Sequence, residues 1–254
     1  MEVRGKAVSD PTIEIRDLRK QFRLSHTGSI KTALLWWRKR QIEHLEVLRG
    51  IDLEVRPGEC VAVIGRNGAG KSTMLSLLAR VYRPTSGSVI VHGRIAPLLE
   101  LGAGFHPDLT GIENIFFNGI ILGLTRQEIR KRMDEIVAFS ELEHHIDAPV
   151  RTYSSGMLAR LGFSIAMHVD ADVLLVDEVL AVGDFEFERK CFAKIDKFKA
   201  DGGTILFVSH EMPDVRRVAT RCVWLSKGVI REEGSPETII PLYEAGDLAP
   251  GVAP

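Results

Sequence analysis

The stretch Gly65-Arg66-Asn67-Gly68-Ala69-Gly70-Lys71-Ser72 constrains the fold of this chain more than any other segment of it. It follows the pattern G-x-x-x-x-G-K-[ST], which ordinary residue usage produces by chance about once in a hundred chains of this length. Its surroundings decide the matter. The apolar run Cys60–Ile64 precedes it, and a helical pattern, Ser72–Val81, follows. A strand, a glycine-rich turn and a helix in that order gather backbone N–H groups and a helix N-terminus around one point, the arrangement that cradles a chain of phosphates. The glycines remove the Cβ atoms that would stand in the way. Lys71 is then placed for the β- and γ-phosphates and the Ser72 hydroxyl for Mg²⁺, with Thr73 on the same turn.

Two more apolar runs end in polar residues. Val173–Val176 leads into Asp177-Glu178, and Thr204–Val208 leads into Ser209-His210. Both are nearly continuous in Val, Ile and Leu, as central parallel strands covered on both faces must be. Helical patterns lie between the runs at Arg126–Phe139, Met157–Val169 and Phe185–Lys199. Strands alternating with helices predict an α/β fold with a doubly wound parallel sheet. Ligands bind such sheets beyond the carboxyl ends of the strands. The glycines, the Asp-Glu pair and the Ser-His pair all fall there. Asp177 is expected to hold the metal, and Glu178 to act as general base or to position the attacking water. His210 is expected to sense the γ-phosphate or to stabilise charge developing on it. Between Glu100 and Gly156 the strand signal fades, which predicts a helical lobe inserted into the sheet domain. Gly246–Pro254 is small and Pro/Gly-rich and reads as a tail or the start of a linker.

Bulk properties narrow the class. The formal net charge is -1, so no overall basic field would recruit nucleic acid or anionic lipid. Cys60, Cys191 and Cys222 form neither a CxxC pair nor an even set, which predicts buried thiols in a reducing compartment. The first residues carry no apolar segment of the secretory kind, and no apolar run approaches the ~20 residues that cross a bilayer. The expectation is a soluble, cytoplasmic protein whose membrane role, if any, goes through a partner.

Thr152-Tyr153-Ser154-Ser155-Gly156-Met157 precedes a helical pattern and stands upstream of Asp177. With the glycine-rich turn, Asp177-Glu178 and His210, it resembles the signature segment of ATP-binding cassette proteins, commonly written L-S-G-G-Q. Tyr153 replaces the Leu, Ser155 the first Gly and Met157 the Gln, while Ser154 and Gly156 are kept. The resemblance covers about residues 12–240. It implies one P-loop NTPase (RecA-like) domain with a mostly parallel core sheet, an antiparallel β subdomain and a helical lobe over about 101–165, then a tail from 241 to 254. It implies hydrolysis of ATP with Mg²⁺. It also implies that Ser154, Ser155, Gly156 and Met157 reach the γ-phosphate of an ATP held by a second copy of the chain, so that the catalytic unit is a homodimer. Phe22 falls where the family stacks an aromatic on adenine, with a plain packing role left open. Ala181, Gly183 and Asp184 occupy the place of a loop that touches the partner subunit, and depart from its common S-A-L-D form. The family's glutamine at the metal has no clear counterpart. Glu100 is the nearest candidate, and an ionised carboxylate could meet Mg²⁺ but could not donate a hydrogen bond.

These departures form a pattern of their own. The Y-S-S-G-M signature, the L-L-E-L-G-A-G-F loop from Leu98 to Phe105 and the E-V-L-A-V-G-D stretch from Glu178 to Asp184 together resemble the ATPases of polysaccharide exporters. The resemblance implies an ATPase subunit at the cytoplasmic face of the inner membrane, bound to a separate permease that moves a lipid-linked glycan. A subunit for another transport substrate is the alternative, with a soluble cassette protein acting on ribosomes or DNA behind it. An insert between Phe22 and Val47 carries Trp36-Trp37-Arg38-Lys39-Arg40. It reads either as an interfacial anchor or as tryptophans packed on the sheet beside solvated cations.

Overall fold

The structure, a computed structural model, describes residues 10–24, 43–99, 101–102, 104–177 and 183–247. The insert around Trp36 and Trp37, together with Glu100, Glu178, Ala181 and the last seven residues, lies outside the described residues.

The strands are β1 (Ile13–Leu24), β2 (Glu43–Val55), β3 (Cys60–Ile64), β4 (Ser86–Val91), β5 (Ile95–Leu98), β6 (Val173–Asp177), β7 (Thr204–Val208), β8 (Arg221–Ser226) and β9 (Val229–Gly234). The helices are α1 (Lys71–Leu78), α2 (Gly111–Ile121), α3 (Arg126–Ser140), α4 (Ser155–Ala166), α5 (Phe185–Ala200), α6 (Met212–Val218) and α7 (Pro236–Asp247). Six strands form one sheet in the order β5-β6-β7-β3-β8-β9, parallel except for the last pair. Three form an antiparallel sheet in the order β2-β1-β4. The chain is thus α/β with a mostly parallel core sheet and an antiparallel β unit, as expected.

Each central strand is divided between two cores. Cys60, Ala62 and Ile64 of β3 enter one apolar cluster, while Val61 and Val63 enter the other. β6 and β7 split the same way: Leu174, Val176, Ile205 and Phe207 go to one side, and Val173, Leu175, Leu206 and Val208 to the other. Successive residues of a strand point to opposite faces, so a strand buried on both sides has no polar register to spare. This is why the runs are continuous in the sequence. On one face α1 is sandwiched between the two sheets, through Met74, Leu75, Leu77 and Leu78. On the other lie α2 to α7.

After β5 the chain passes through α2, α3 and α4 before returning as β6. Two of the lobe helices begin on capping boxes. Thr110 with Glu113 opens α2, and Thr125 with Glu128 opens α3, each pair satisfying two N–H groups that a helix start leaves over. The helix expected over Ser72–Val81 stops at Leu78, because Arg80 turns left-handed at φ 62°. Residues 241–247, assigned to a tail from sequence, form the second half of α7, where Tyr243 packs edge-on against Trp224. The three cysteines are buried and free, and burial pushes the Cys191 thiol up to about 12 and the Cys222 thiol to about 11. No helix among the described residues is long and apolar enough to cross a membrane.

The loop ahead of α2 is held by one side chain. Asn114 is fully buried, donates from Nδ2 to the carbonyls of His106, Leu109 and Thr110, and accepts from the His106 N–H through Oδ1. Removing it leaves the His106 N–H without its acceptor and takes one of two donors from each of the three carbonyls, which also accept backbone N–H groups. Asn114→Ala should lower the free energy of unfolding by about 2–3 kcal/mol, read from the urea midpoint, and should speed hydrogen exchange in 104–110.

Candidate functional site

The register of the sheet brings the expected residues to one edge. Asp177 at the end of β6 pairs with Val208 of β7, and Val208 pairs with Val63 of β3. Gly65 follows Val63 by two residues, and His210 follows Val208 by two. The three strand ends are therefore level, and the glycine-rich turn, Asp177 and His210 leave the sheet side by side.

The turn is shaped by close approach. A Cβ at Gly65, whose φ is +153°, would fall on the carbonyl oxygen of Leu225 in β8, so no other residue fits there. Gly228, in the turn after β8, donates to the Ala69 carbonyl at 3.1 Å and accepts from the Arg49 N–H at 2.8 Å. The turn is thereby braced against both sheets. Helix α1 starts from Gly70 in the left-handed conformation, with no side-chain cap and no acid in its first turn. Such a start leaves N–H groups and the positive end of the helix dipole for an anion. Lys71 is buried, and its Nζ donates to the carbonyls of Gly65 at 2.7 Å and Arg66 at 3.2 Å, folding back along the turn. Arg66, Asn67 and Gly68 are exposed on the outer side of the loop.

Ser72 and Asp177 line the same groove of about 760 Å³. A hydroxyl and a carboxylate are hard oxygen donors of the kind Mg²⁺ takes alongside phosphate and water, so these residues fit that ion. Apolar groups wall much of the rest of the groove, among them Tyr82, Leu99, Leu101, Phe105 and Ile121, with Arg80, Arg94 and Asn118 beside them. Leu99 and Leu101 bracket the position of Glu100. His210 is exposed, with Nε2 3.3 Å from Glu211 Oε1, and the neighbouring Ser209 hydroxyl accepts from the Glu211 N–H at 3.0 Å. His210 is thus exposed at the sheet edge, and Glu178 falls outside the described residues.

Phe22 sits in an aromatic and cationic cluster. Its ring meets Tyr82 edge-on at 5.4 Å, and Lys20 Nζ lies 4.9 Å from its centroid and donates to the Arg83 carbonyl. Lys20 pairs with Leu48, whose side chain lies against Gly70. Phe22 is therefore about 7 Å further along β1 from the strand level that abuts the phosphate turn.

The signature segment lies elsewhere. Ser154 caps α4 by accepting from the Met157 N–H at 3.2 Å. Ser155 is exposed, space is open beside Gly156, and Met157 packs on the core. Tyr153, in place of the usual Leu, is buried and donates its hydroxyl to the His145 carbonyl at 2.7 Å, while burial raises its pKa. Gly162, Ile165 and Ala166 of the same helix line the groove that holds Ser72 and Asp177. Ser154 is more than two turns away, about 12 Å at 1.5 Å per residue. The N-terminal end of α4 thus lies beyond the part of the helix that lines this groove. Asp184 caps α5 by accepting from the Phe187 N–H at 3.0 Å, with Gly183 left-handed just before it. Sequence reasoning missed Asn114, Arg160 and Gly228. The first two carry a signal, since Asn114 lies among apolar neighbours on α2 and Arg160 is the one charged residue of α4.

A family model described as ABC transporter matches residues 48–181. The O-antigen export system ATP-binding protein RfbB of Klebsiella pneumoniae is 51% identical over 92% of this chain and 98% of its own length. The protein of the same name from Myxococcus xanthus is 49% identical over 92% of this chain, which spans 55% of that relative's length. Among solved structures, a dimeric ATP-binding cassette in a post-hydrolysis state bound to ADP and Pi superposes with a TM-score of 0.71 at 22% identity, covering 88% of this chain and 98% of its own. That likeness is one of fold.

Lys71→Ala should weaken ATP binding by at least about tenfold, the worth of one charge-assisted contact, in titration calorimetry. Unchanged affinity would remove Lys71 from the site.

Proposed function

The chain belongs to the ABC transporter family of ATPases, and from that premise we propose that it powers export of a lipid-linked polysaccharide through a separate membrane permease. The observation that carries this reading is the 51% identity to an O-antigen export ATP-binding protein along 98% of that relative's length. The Y-S-S-G-M signature and the L-L-E-L-G-A-G-F loop support it from within the sequence.

The residues divide the work. The turn from Gly65 to Gly70 and the head of α1, with Ser72 and Thr73, receive the phosphates through backbone N–H groups. Lys71 exchanges its two carbonyl partners for phosphate oxygens, so its charge is satisfied before and after binding. Ser72 and Asp177 would hold Mg²⁺, which when bound neutralises charge on the β- and γ-phosphates. Glu178 would take a proton from the attacking water or orient it. His210, one strand over, would meet the γ-phosphate from its exposed position. Phe22 would stack on adenine, with Tyr82 and Lys20 fixing its ring.

The head of α4 is a second anion-binding helix start, displaced from the first. Its use requires a second copy of the chain, with Ser154, Ser155 and Gly156 of one subunit facing the phosphates held by the other. Ala181, Gly183 and Asp184 lie on the loop that would cross that interface. The solved cassette that shares this fold is itself dimeric. Closure around two ATP molecules and reopening after hydrolysis would then drive the permease through the groove wall formed by the Leu101–Asn114 loop and the helical lobe. Such a subunit would sit at the cytoplasmic face of the membrane, held there by its permease.

Glu178→Gln should retain ATP binding, lower turnover by about a hundredfold or more and accumulate an ATP-bound dimer in size-exclusion chromatography. Rapid hydrolysis would remove Glu178 from the mechanism. In cells carrying the same variant, a lipid-linked glycan should accumulate on the inner side of the membrane. Normal export would count against the polysaccharide reading and leave the ATPase intact.

A further inference from the structure

The start of α5 is bound to the helical lobe by a joint in two layers. The upper layer is ionic and centres on Arg160, in the second turn of α4. Its Nη2 donates to Asp184 Oδ2 at 2.7 Å, and its Nη1 donates to Glu141 Oε2 at 2.7 Å. Asp184 is the N-cap of α5, and its other oxygen, Oδ1, accepts from the Phe187 N–H. Glu141 is the left-handed C-cap of α3, and it also receives Lys190 of α5. Arg160 is only 17% exposed, while its partners Glu141 and Asp184 reach solvent at 36% and 65%. It lies 4.8 Å from the Phe187 ring centroid and passes so close to Gly183 that a Cβ there would come within 3.0 Å of Nε. The lower layer is apolar. Phe139 of α3, Phe163 of α4 and Phe187 of α5 meet with ring centroids 5.7–6.3 Å apart.

We propose that Arg160 is a positioning residue that locks the Gly183–Asp184 loop to the signature helix, so that the two segments facing a second copy of this chain move as one body. This rests on the reading that Ser154–Gly156 and the 183–184 loop meet the partner subunit. The geometry argues for position over plain stability. Ion pairs near a surface contribute about 0–1 kcal/mol, and the phenylalanine cluster already holds the three helices together. What the fork adds is direction: a planar guanidinium fixes both carboxylates in one plane. The two carboxylates belong to the C-cap of one helix and the N-cap of another. Phe185, the next residue of α5, is left 73% exposed on the same turn.

The test measures kcat and ATP affinity for Arg160→Ala, Arg160→Lys and Asp184→Asn, and measures ATP-driven dimerisation of each in the Glu178→Gln background. Asn keeps the N-cap bond while removing the charge that Arg160 grips. Arg160→Ala and Asp184→Asn should each lower kcat by about tenfold or more and reduce the dimer fraction. ATP affinity of the single subunit should stay within about twofold, and Arg160→Lys should recover part of the loss. The double variant should be no worse than Arg160→Ala alone, because both changes break one contact. Wild-type kcat and dimerisation in Arg160→Ala would overturn the proposal, as would a wild-type Asp184→Asn. Should Arg160→Ala fail to fold, Asp184→Asn decides alone. If the parental Glu178→Gln chain forms no dimer with ATP, the two-copy reading falls, and this proposal with it. If the parent dimerises and the variants match it, only the role of Arg160 falls.

Discussion

The structure turns on a helix that begins without a cap. Helix α1 starts at a left-handed glycine, with no side chain accepting from its first N–H groups. A helix end left in this way costs free energy wherever water is excluded. Most of the other features protect that start or use it. The Leu225 carbonyl presses on Gly65 from one side and the Val47–Leu48 strand on Gly70 from the other. Gly228 ties the turn to both sheets. Lys71, buried among carbonyls, keeps a cation beside donors that already favour an anion. The fold itself carries the cost of gathering these groups, so that electrostatic work is done in folding rather than in binding.

The parallel sheet was legible from residues because its strands are buried twice over. Cys60–Ile64, Val173–Val176 and Thr204–Val208 contain almost nothing polar, and each ends at a residue with chemistry to do. The antiparallel sheet was known only through family resemblance. Its strands alternate, and β1 slips register against β2 at three places between Ile15 and Gln21, which erases the period that would reveal it. The end of α1 was overrun by three residues for a related reason. Val81 continues the apolar spacing of the helix, yet Arg80 has already left it, and Val81 is exposed.

The candidate site was legible where a residue type suits a task that few others can perform. A lysine after a glycine turn and an aspartate at a strand end are such cases. Its supports were less visible. Asn114 reads as a flaw in an apolar helix, and only the three carbonyls around it show that it holds the loop ahead of α2. Arg160 reads as a surface cation, and only the fold brings Glu141 and Asp184 to its two sides. Both act across gaps in sequence that no local pattern spans. Tyr153 taught the reverse. A substitution that looked like erosion of the signature is a buried hydroxyl bound to His145.

The division of each central strand between two cores has a consequence for how this protein can change over generations. Val61 and Val63 answer only to α1 and the antiparallel sheet, whereas Cys60, Ala62 and Ile64 answer only to the lobe side. The sheet is a partition between two neighbourhoods of selection. Drift in the lobe meets one set of alternating residues and leaves the set that packs on α1 untouched. Point substitutions can accumulate on one side at a time. A single inserted residue cannot, because it would exchange the two sets at once.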